Sequence, residues 1–190
     1  QDGKGKDWIV GRNAVIEALK GRRTIDKIYV QRGFREGSIV RILSLARDAS
    51  IPVTEANRAK LENMAGTTGH QGVVAVASAR EYASVDDILA LAQERKESPF
   101  IIVLDGIEDP HNLGAIIRSA ECAGAHGVII HKHRAVGLTY GVDKASAGAL
   151  EYIKVARVTN ISQTLRQLKN QGLWIFGTQK DAARCYYEAD

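Results

Sequence analysis

Apolar residues along this chain recur at different spacings in different stretches, and the change in spacing divides it. In the first 78 residues, short apolar runs (Lys27 to Val30, Val73 to Ala77) alternate with helix-period patterns. One of these places Ile39, Ile42, Leu43 and Ala46 at i, i+3, i+4 and i+7, a stripe that needs a sheet to cover. The combination predicts a small α/β unit. The string TTGHQG, from Thr67 to Gly72, has two glycines and no period, which marks a turn displaying His70 and Gln71. Residues 81–99 are mostly polar, with Ser84 placed to cap a short helix carrying Ile88, Leu89 and Leu91.

From Phe100 onward the pattern becomes regular. Strands are predicted at 100–104, 127–131, 152–158 and 173–177, with helices near 112–123, 140–150 and 161–171 between them. Strands separated by helices argue for a parallel sheet covered on both faces. The expectation is therefore an α/β protein with domains at 1–80 and 100–190 and a linker at 81–99. Ligands of such a sheet bind beyond the carboxyl ends of its strands, which directs attention to the loops after Leu104, Ile130, Val158 and Phe176.

Composition narrows the classes. With 190 residues, 45% hydrophobic and 25% charged, the chain is globular and holds one large domain or two small ones. Its apolar runs fall far short of the roughly 18–20 residues a membrane helix needs, and Gln1 to Asp7 lacks the apolar centre of a secretory signal. Cys122 and Cys185 stand far apart without a second ligand at metal spacing, so a reducing cytoplasm and no metal site are expected. The net charge of +4 is unevenly spread: residues 1–80 hold 14 Lys or Arg against 8 Asp or Glu. That excess suits a phosphate backbone, and it suits a solubilising surface equally well.

After the strand at 100–104 there is no G-x-G-x-x-G, and the chain has no G-x-x-x-x-G-K-[ST], which argues against a nucleotide-dependent oxidoreductase. The loop there reads LDGIEDPHNLGAIIRSAECAGA. Asp109, Pro110 and Asn112 supply turn chemistry and a helix N-cap, leaving backbone N–H groups where an anion could dock. On helix geometry alone, Asn112 reads as that cap and Arg118 as half of an ion pair with Glu121.

The full string L-D-G-I-E-D-P-H-N-L-G-A-I-I-R-S-A-E, followed by A-G-A-H-G-V-I-I and K-A-S-A-G-A-L-E-Y, resembles the first motif region of the SpoU (TrmH-like) branch of SPOUT RNA methyltransferases. Towards the front, G-R-N-A-V-I-E-A-L and G-H-Q-G-V-V-A resemble the N-terminal substrate-binding domain of that family. The nearest pattern is that of bacterial enzymes methylating a guanosine ribose 2′-oxygen in large-subunit (23S) ribosomal RNA. The resemblance implies an RNA-binding α/β domain followed by a parallel-sheet catalytic domain of the trefoil-knot type. It also implies S-adenosylmethionine as methyl donor, a homodimer, and ribosomal RNA in preference to tRNA as partner, with no membrane or metal involved.

The family's motif Asn and Arg match Asn112 and Arg118, which become the expected catalytic pair. Arg118 is better read as a two-pronged clamp on the target phosphate than as a base, because a guanidinium gives up its proton only at very high pH. Gly177 and Thr178, at the end of a predicted strand, are placed to touch the adenine. Arg12, Asn13, Arg22, Arg23, His70, Gln71 and Lys144 are the candidate RNA contacts. For KASAGALEY, a small-residue packing face is the plainer reading beside a phosphate contact through Lys144 and a subunit contact through Glu151. The family's Gly-Ser-Glu-Gly-type loop and Ser-Leu-Asn segment, which line the cofactor pocket, are not among these 190 residues, so the main pocket residues are expected beyond Asp190. The expectation is thus a catalytic domain truncated before its knot, binding the methyl donor poorly alone. A fragment of a longer polypeptide would explain this. So would a non-catalytic RNA-binding or ribosome-associated protein that keeps the scaffold.

Overall fold

Two β-sheets with separate hydrophobic cores organise residues 8–21 and 24–179, the residues described by the computed structural model. The first sheet has the order β1-β4-β2-β3, from β1 (Trp8–Val10), β2 (Ile25–Gln31), β3 (Val53–Ala56) and β4 (Val73–Ala77). Strand β4 runs antiparallel to both β1 and β2, and β3 lies parallel to β2. All five residues of β4 are buried, and the run VVAVA shows no alternation because helices cover both faces. Val73, Ala75 and Ala77 join the core of α1 (Arg12–Lys20) and α2 (Ser38–Asp48), whereas Val74 packs with Leu61 of α3 (Arg58–Ala65). The predicted stripe lies in that core, with Ile39, Ile42 and Ala46 fully buried and Leu43 packed beside them.

The second sheet is parallel throughout, in the order β5-β6-β7: β5 (Ile101–Leu104), β6 (Gly127–His131) and β7 (Lys154–Val158). The central strand β6 is wholly buried, while every residue of the outer strand β5 is half-buried. Ahead of the sheet, α4 (Val85–Arg95) starts at a capping box in which Ser84 and Asp87 bond each other's backbone N–H. Helix α5 (Pro110–Cys122) follows β5 and crosses α6 (Tyr140–Ala145) closely. A Cβ on Gly114 would collide with Ala145, so the small residues of KASAGALEY do serve as a helix packing face.

Two elements differ from the sequence expectation. The helix near 140–150 stops at Ala145, because Ala147 (φ 51°) and Gly148 (φ 90°) turn the chain left-handed before a short 3-10 turn at Ala149–Glu151. Residues 173–177 are not a strand. A strand exists only through its ladder of hydrogen bonds to a neighbour, and this stretch is irregular, with Trp174 82% and Phe176 59% exposed. It follows α7 (Ile161–Asn170) in a unit that begins at Asn160, distinct from the compact unit ending at Thr159. The expected knot, Cys185 and Asp190 lie outside the described residues.

Within the larger unit the two sheets are tied by a buried polar cluster. Asp26 on β2 accepts from Tyr82 Oη (2.7 Å) and from Arg157 Nη1 on β7 (2.7 Å), and the Arg157 guanidinium stacks 3.9 Å from the centre of the Tyr82 ring. Tyr82 Oη in turn accepts from the Leu138 backbone N–H at 2.8 Å. Gly137 is required here, since a side chain on it would strike the Asp26 carboxylate. Burial, then the Asp26 charge, push the Tyr82 hydroxyl well above its ordinary range. The folded state therefore holds this proton where an unfolded tyrosine would lose it. Its contribution to stability is complete below about pH 10 and declines as pH rises beyond that. Denaturant titrations at pH 8 and pH 11 should show this decline, and Tyr82→Phe should flatten it; an equal decline in both proteins would count against it.

Candidate functional site

Two neighbouring segments, the loops after β5 and β6, stand at the carboxyl edge of the parallel sheet. After β5, the loop 105–109 leads into α5, where Asp109 is the N-cap: its side chain accepts from the Asn112 backbone N–H at 2.8 Å, and Pro110 opens the helix. Asn112 is thus not the cap. Its amide is exposed in the first turn and makes no side-chain hydrogen bond among the described residues. Arg118 is exposed nearly two turns further on, and the ion pair with Glu121 does not form. Neither the cap role of Asn112 nor the Arg118–Glu121 pair forms, and both side chains are without hydrogen-bond partners among the described residues.

Six positions on a helix separate Asn112 and Arg118 by about 9 Å along the axis and about 120° around it. The two do not touch. That rotation sets them on different faces of the helix. An extended ligand, such as a ribose with its phosphate, matches that spacing better than a single atom would.

The loop after β6 supplies cations that sequence reasoning did not single out. His131, at the end of the strand, accepts from the backbone N–H of both His133 and Arg134 through Nδ1, each at 3.0 Å, which folds the basic run Lys132, His133, Arg134 into a tight turn. Arg134 pairs with Asp105 of the β5 loop at 3.0 Å, and Val136 N–H bonds Ile107 C=O at 2.8 Å, so the two loops form one rim. Burial, followed by the charge of Arg157, lowers the Lys132 pKa. Burial, then Lys132, His131, Arg157 and Lys27, hold His133 below the ordinary imidazole range. The cations Lys132 and Arg134 with Arg157 nearby favour a polyanion, while the lowered pKa leaves the His133 ring neutral at neutral pH. The readable signal was H-K-H-R directly after a buried strand.

Other candidates scatter. Lys144 is exposed near the end of α6, while its neighbour Asp143 and Glu151 both pair with Arg80, so Glu151 is used within the chain. Gly177 and Thr178 stand exposed on the irregular segment, not at a strand end. The pocket residues expected beyond Asp190 lie outside the described residues. His70 Nε2, a buried polar atom without a partner among the described residues, lies in the other half of the chain. The described residues thus do not make a cofactor pocket by themselves.

In the N-terminal half, Arg12 and Gln71 do come together. Gln71 Oε1 accepts from the Arg12 backbone N–H at 3.0 Å, and Arg12 Nε donates to Gln71 C=O at 2.9 Å. Asn13 is exposed beside them. His70 is only 3% exposed, so it is not displayed: its Nδ1 accepts from Gly72 N–H at 3.0 Å and fixes the turn. Arg22 and Arg23 lie outside the described residues. Among the described residues no helix is long and apolar enough to cross a membrane.

Known proteins share this organisation. Residues 99–190 match the SpoU rRNA methylase family, and residues 8–83 match the substrate-binding domain of RNA 2′-O ribose methyltransferases. The Bacillus subtilis (strain 168) protein YacO, named for the TrmH family of tRNA/rRNA methyltransferases, is 46% identical over 184 residues, covering 97% of this chain and 74% of its own length. A Staphylococcus aureus (strain MSSA476) protein named for the same family is 44% identical, with 96% and 74% covered. Among solved structures, the AdoMet-bound rRNA methyltransferase from Sinorhizobium meliloti superposes with a TM-score of 0.41 at 24% identity, over 86% of this chain and 57% of that one.

Proposed function

Because this chain belongs to the SpoU (TrmH) family of RNA methyltransferases, we propose that it moves a methyl group from S-adenosylmethionine to a ribose 2′-hydroxyl of RNA, with a guanosine of large-subunit ribosomal RNA as target. The observation that carries this reading is the pair of unengaged side chains, Asn112 and Arg118, on the helix that leaves the carboxyl edge of the parallel sheet. S-adenosylmethionine supplies the methyl group in such a reaction. The residues described above contribute on the RNA side.

Displacement at a sulfonium carbon needs the ribose oxygen in line, so positioning dominates. Arg118 holds the phosphate beside the target ribose through its fork of N–H donors and stabilises the negative charge that builds on the 2′-oxygen as its proton passes to solvent. Asn112 orients the sugar by neutral hydrogen bonds, and Lys132 and Arg134 of the rim attract the adjoining backbone. We further propose a cytoplasmic homodimer, its oligomeric state checked by sedimentation of the purified protein. The test of activity is transfer of tritiated methyl from S-adenosylmethionine to unmodified 23S rRNA and tRNA transcripts, mapped by reverse-transcription stops at low nucleotide concentration. Label on a guanosine ribose in 23S rRNA is the expected result; label on tRNA alone would move the substrate, and label on neither would leave RNA binding without catalysis.

A further inference from the structure

The turn after β2 presents an exposed aromatic ring in a cationic setting. Its backbone is held by Gln31 N–H to Gly72 C=O (2.8 Å), Arg32 N–H to Ala56 C=O (2.9 Å) and Phe34 N–H to Gln31 C=O (3.0 Å). At its tip Phe34 is 38% exposed, although the ring packs against Gly72 so closely that a Cβ there would lie 2.8 Å from Phe34 Cδ1. Gly72 itself has φ 80°, so glycine is needed for the backbone and for the ring alike. The Arg12 guanidinium lies 5.8 Å from the ring centre, tethered by its bond to Gln71 C=O. Arg32 and Arg35, on either side of Phe34 in the sequence, have side chains 79% exposed and share the single carboxylate of Glu55.

An exposed ring fixed on glycine, with one tethered cation and two largely exposed ones that share a single carboxylate, lacks the features of a core residue. Unpaired bases are bound by stacking on aromatic rings and guanidinium planes while their phosphates meet flexible cations. Gln71 adds an oriented amide: its Oε1 is engaged by the Arg12 N–H, which leaves the NH2 group to donate to a base edge. We propose that Phe34 is a stacking platform for an unpaired RNA base, with Arg12 and Gln71 beside the base and Arg32 and Arg35 on the phosphates. This inference rests on the RNA-methyltransferase reading and names the part of the RNA that the N-terminal half takes.

The test compares a fluorescein-labelled 12-nucleotide oligoadenylate with an abasic oligomer of the same length, by fluorescence anisotropy on the whole chain. The native protein is expected to prefer the base-bearing strand by about tenfold. Phe34→Leu should lose that preference while binding the abasic strand unchanged, and Phe34→Tyr should keep it. Circular dichroism melting of each variant separates a lost stack from a lost fold. A preference surviving in folded Phe34→Leu, or its loss in folded Phe34→Tyr, overturns the stacking role. So does a native protein that binds both strands equally, and in each case the RNA reading stands. A native protein that binds neither strand, and binds no 23S rRNA transcript, overturns the parent reading as well.

Discussion

Asp26→Ala is expected to destabilise the fold by about 3–5 kcal/mol, the range for removing one partner of a buried ion pair. The loss arises because Arg157, with its side chain 15% exposed, would keep its charge in a poorly solvated place, and the Tyr82 hydroxyl would lose its acceptor. The measurement is a denaturant melt followed by far-ultraviolet circular dichroism. Removing the orphaned charge as well, in Asp26→Ala with Arg157→Met, should recover much of the loss, so a double-mutant cycle reports the coupling. A single-variant loss below about 1 kcal/mol would place the pair among surface ion pairs, which contribute that little.

For Arg118→Ala the expected result is a fall in methyl transfer of roughly 100- to 1,000-fold, the magnitude seen when one charge-stabilising donor is removed from a reacting centre. Stability should change by no more than about 0.5 kcal/mol, because the side chain is exposed and makes no ion pair among the described residues. Arg118→Lys distinguishes charge from geometry. An ammonium keeps the positive charge and loses the planar fork, so turnover should stay at least tenfold below that of the native protein while RNA affinity changes little. Near-normal turnover in Arg118→Lys with unchanged RNA affinity would reject the two-pronged clamp.

Much of the architecture was legible because it depends on local period. The parallel strands at Ile101–Leu104, Gly127–His131 and Lys154–Val158, and the stripe of Ile39, Ile42 and Ala46, stand where the spacing of apolar residues puts them. The strand expected at 173–177 failed for the complementary reason. Apolar residues can only propose a strand, and a neighbouring ladder has to accept it. The helix cap has the same ambiguity: Asp109, Pro110 and Asn112 are all good turn residues, and only the backbone path shows that Asp109 accepts the bond and leaves Asn112 free.

At the candidate site, the motif residues are visible as letters and their surroundings are not. His70 looks displayed because it sits between glycines, yet the turn folds it inward so that Nδ1 can satisfy Gly72 N–H. Phe34 carries no signal in the sequence, since one aromatic in a polar loop has no period, and its meaning comes from Gly72 and Arg12, which are distant in the chain.

What the amino-acid order determined alone is whatever neighbours within a few residues can decide: helix and strand segments, capping residues, the excess of positive charge towards the front, and the motif that marks an RNA methyltransferase. What only the folded chain decided is which groups are left unsatisfied. Arg157 and the Tyr82 hydroxyl satisfy the Asp26 carboxylate across two sheets, whereas the Asn112 and Arg118 side chains on one helix have no partners among the described residues. The physical reason is that hydrogen bonding and desolvation depend on distance in space, which the order of residues sets only through the complete fold.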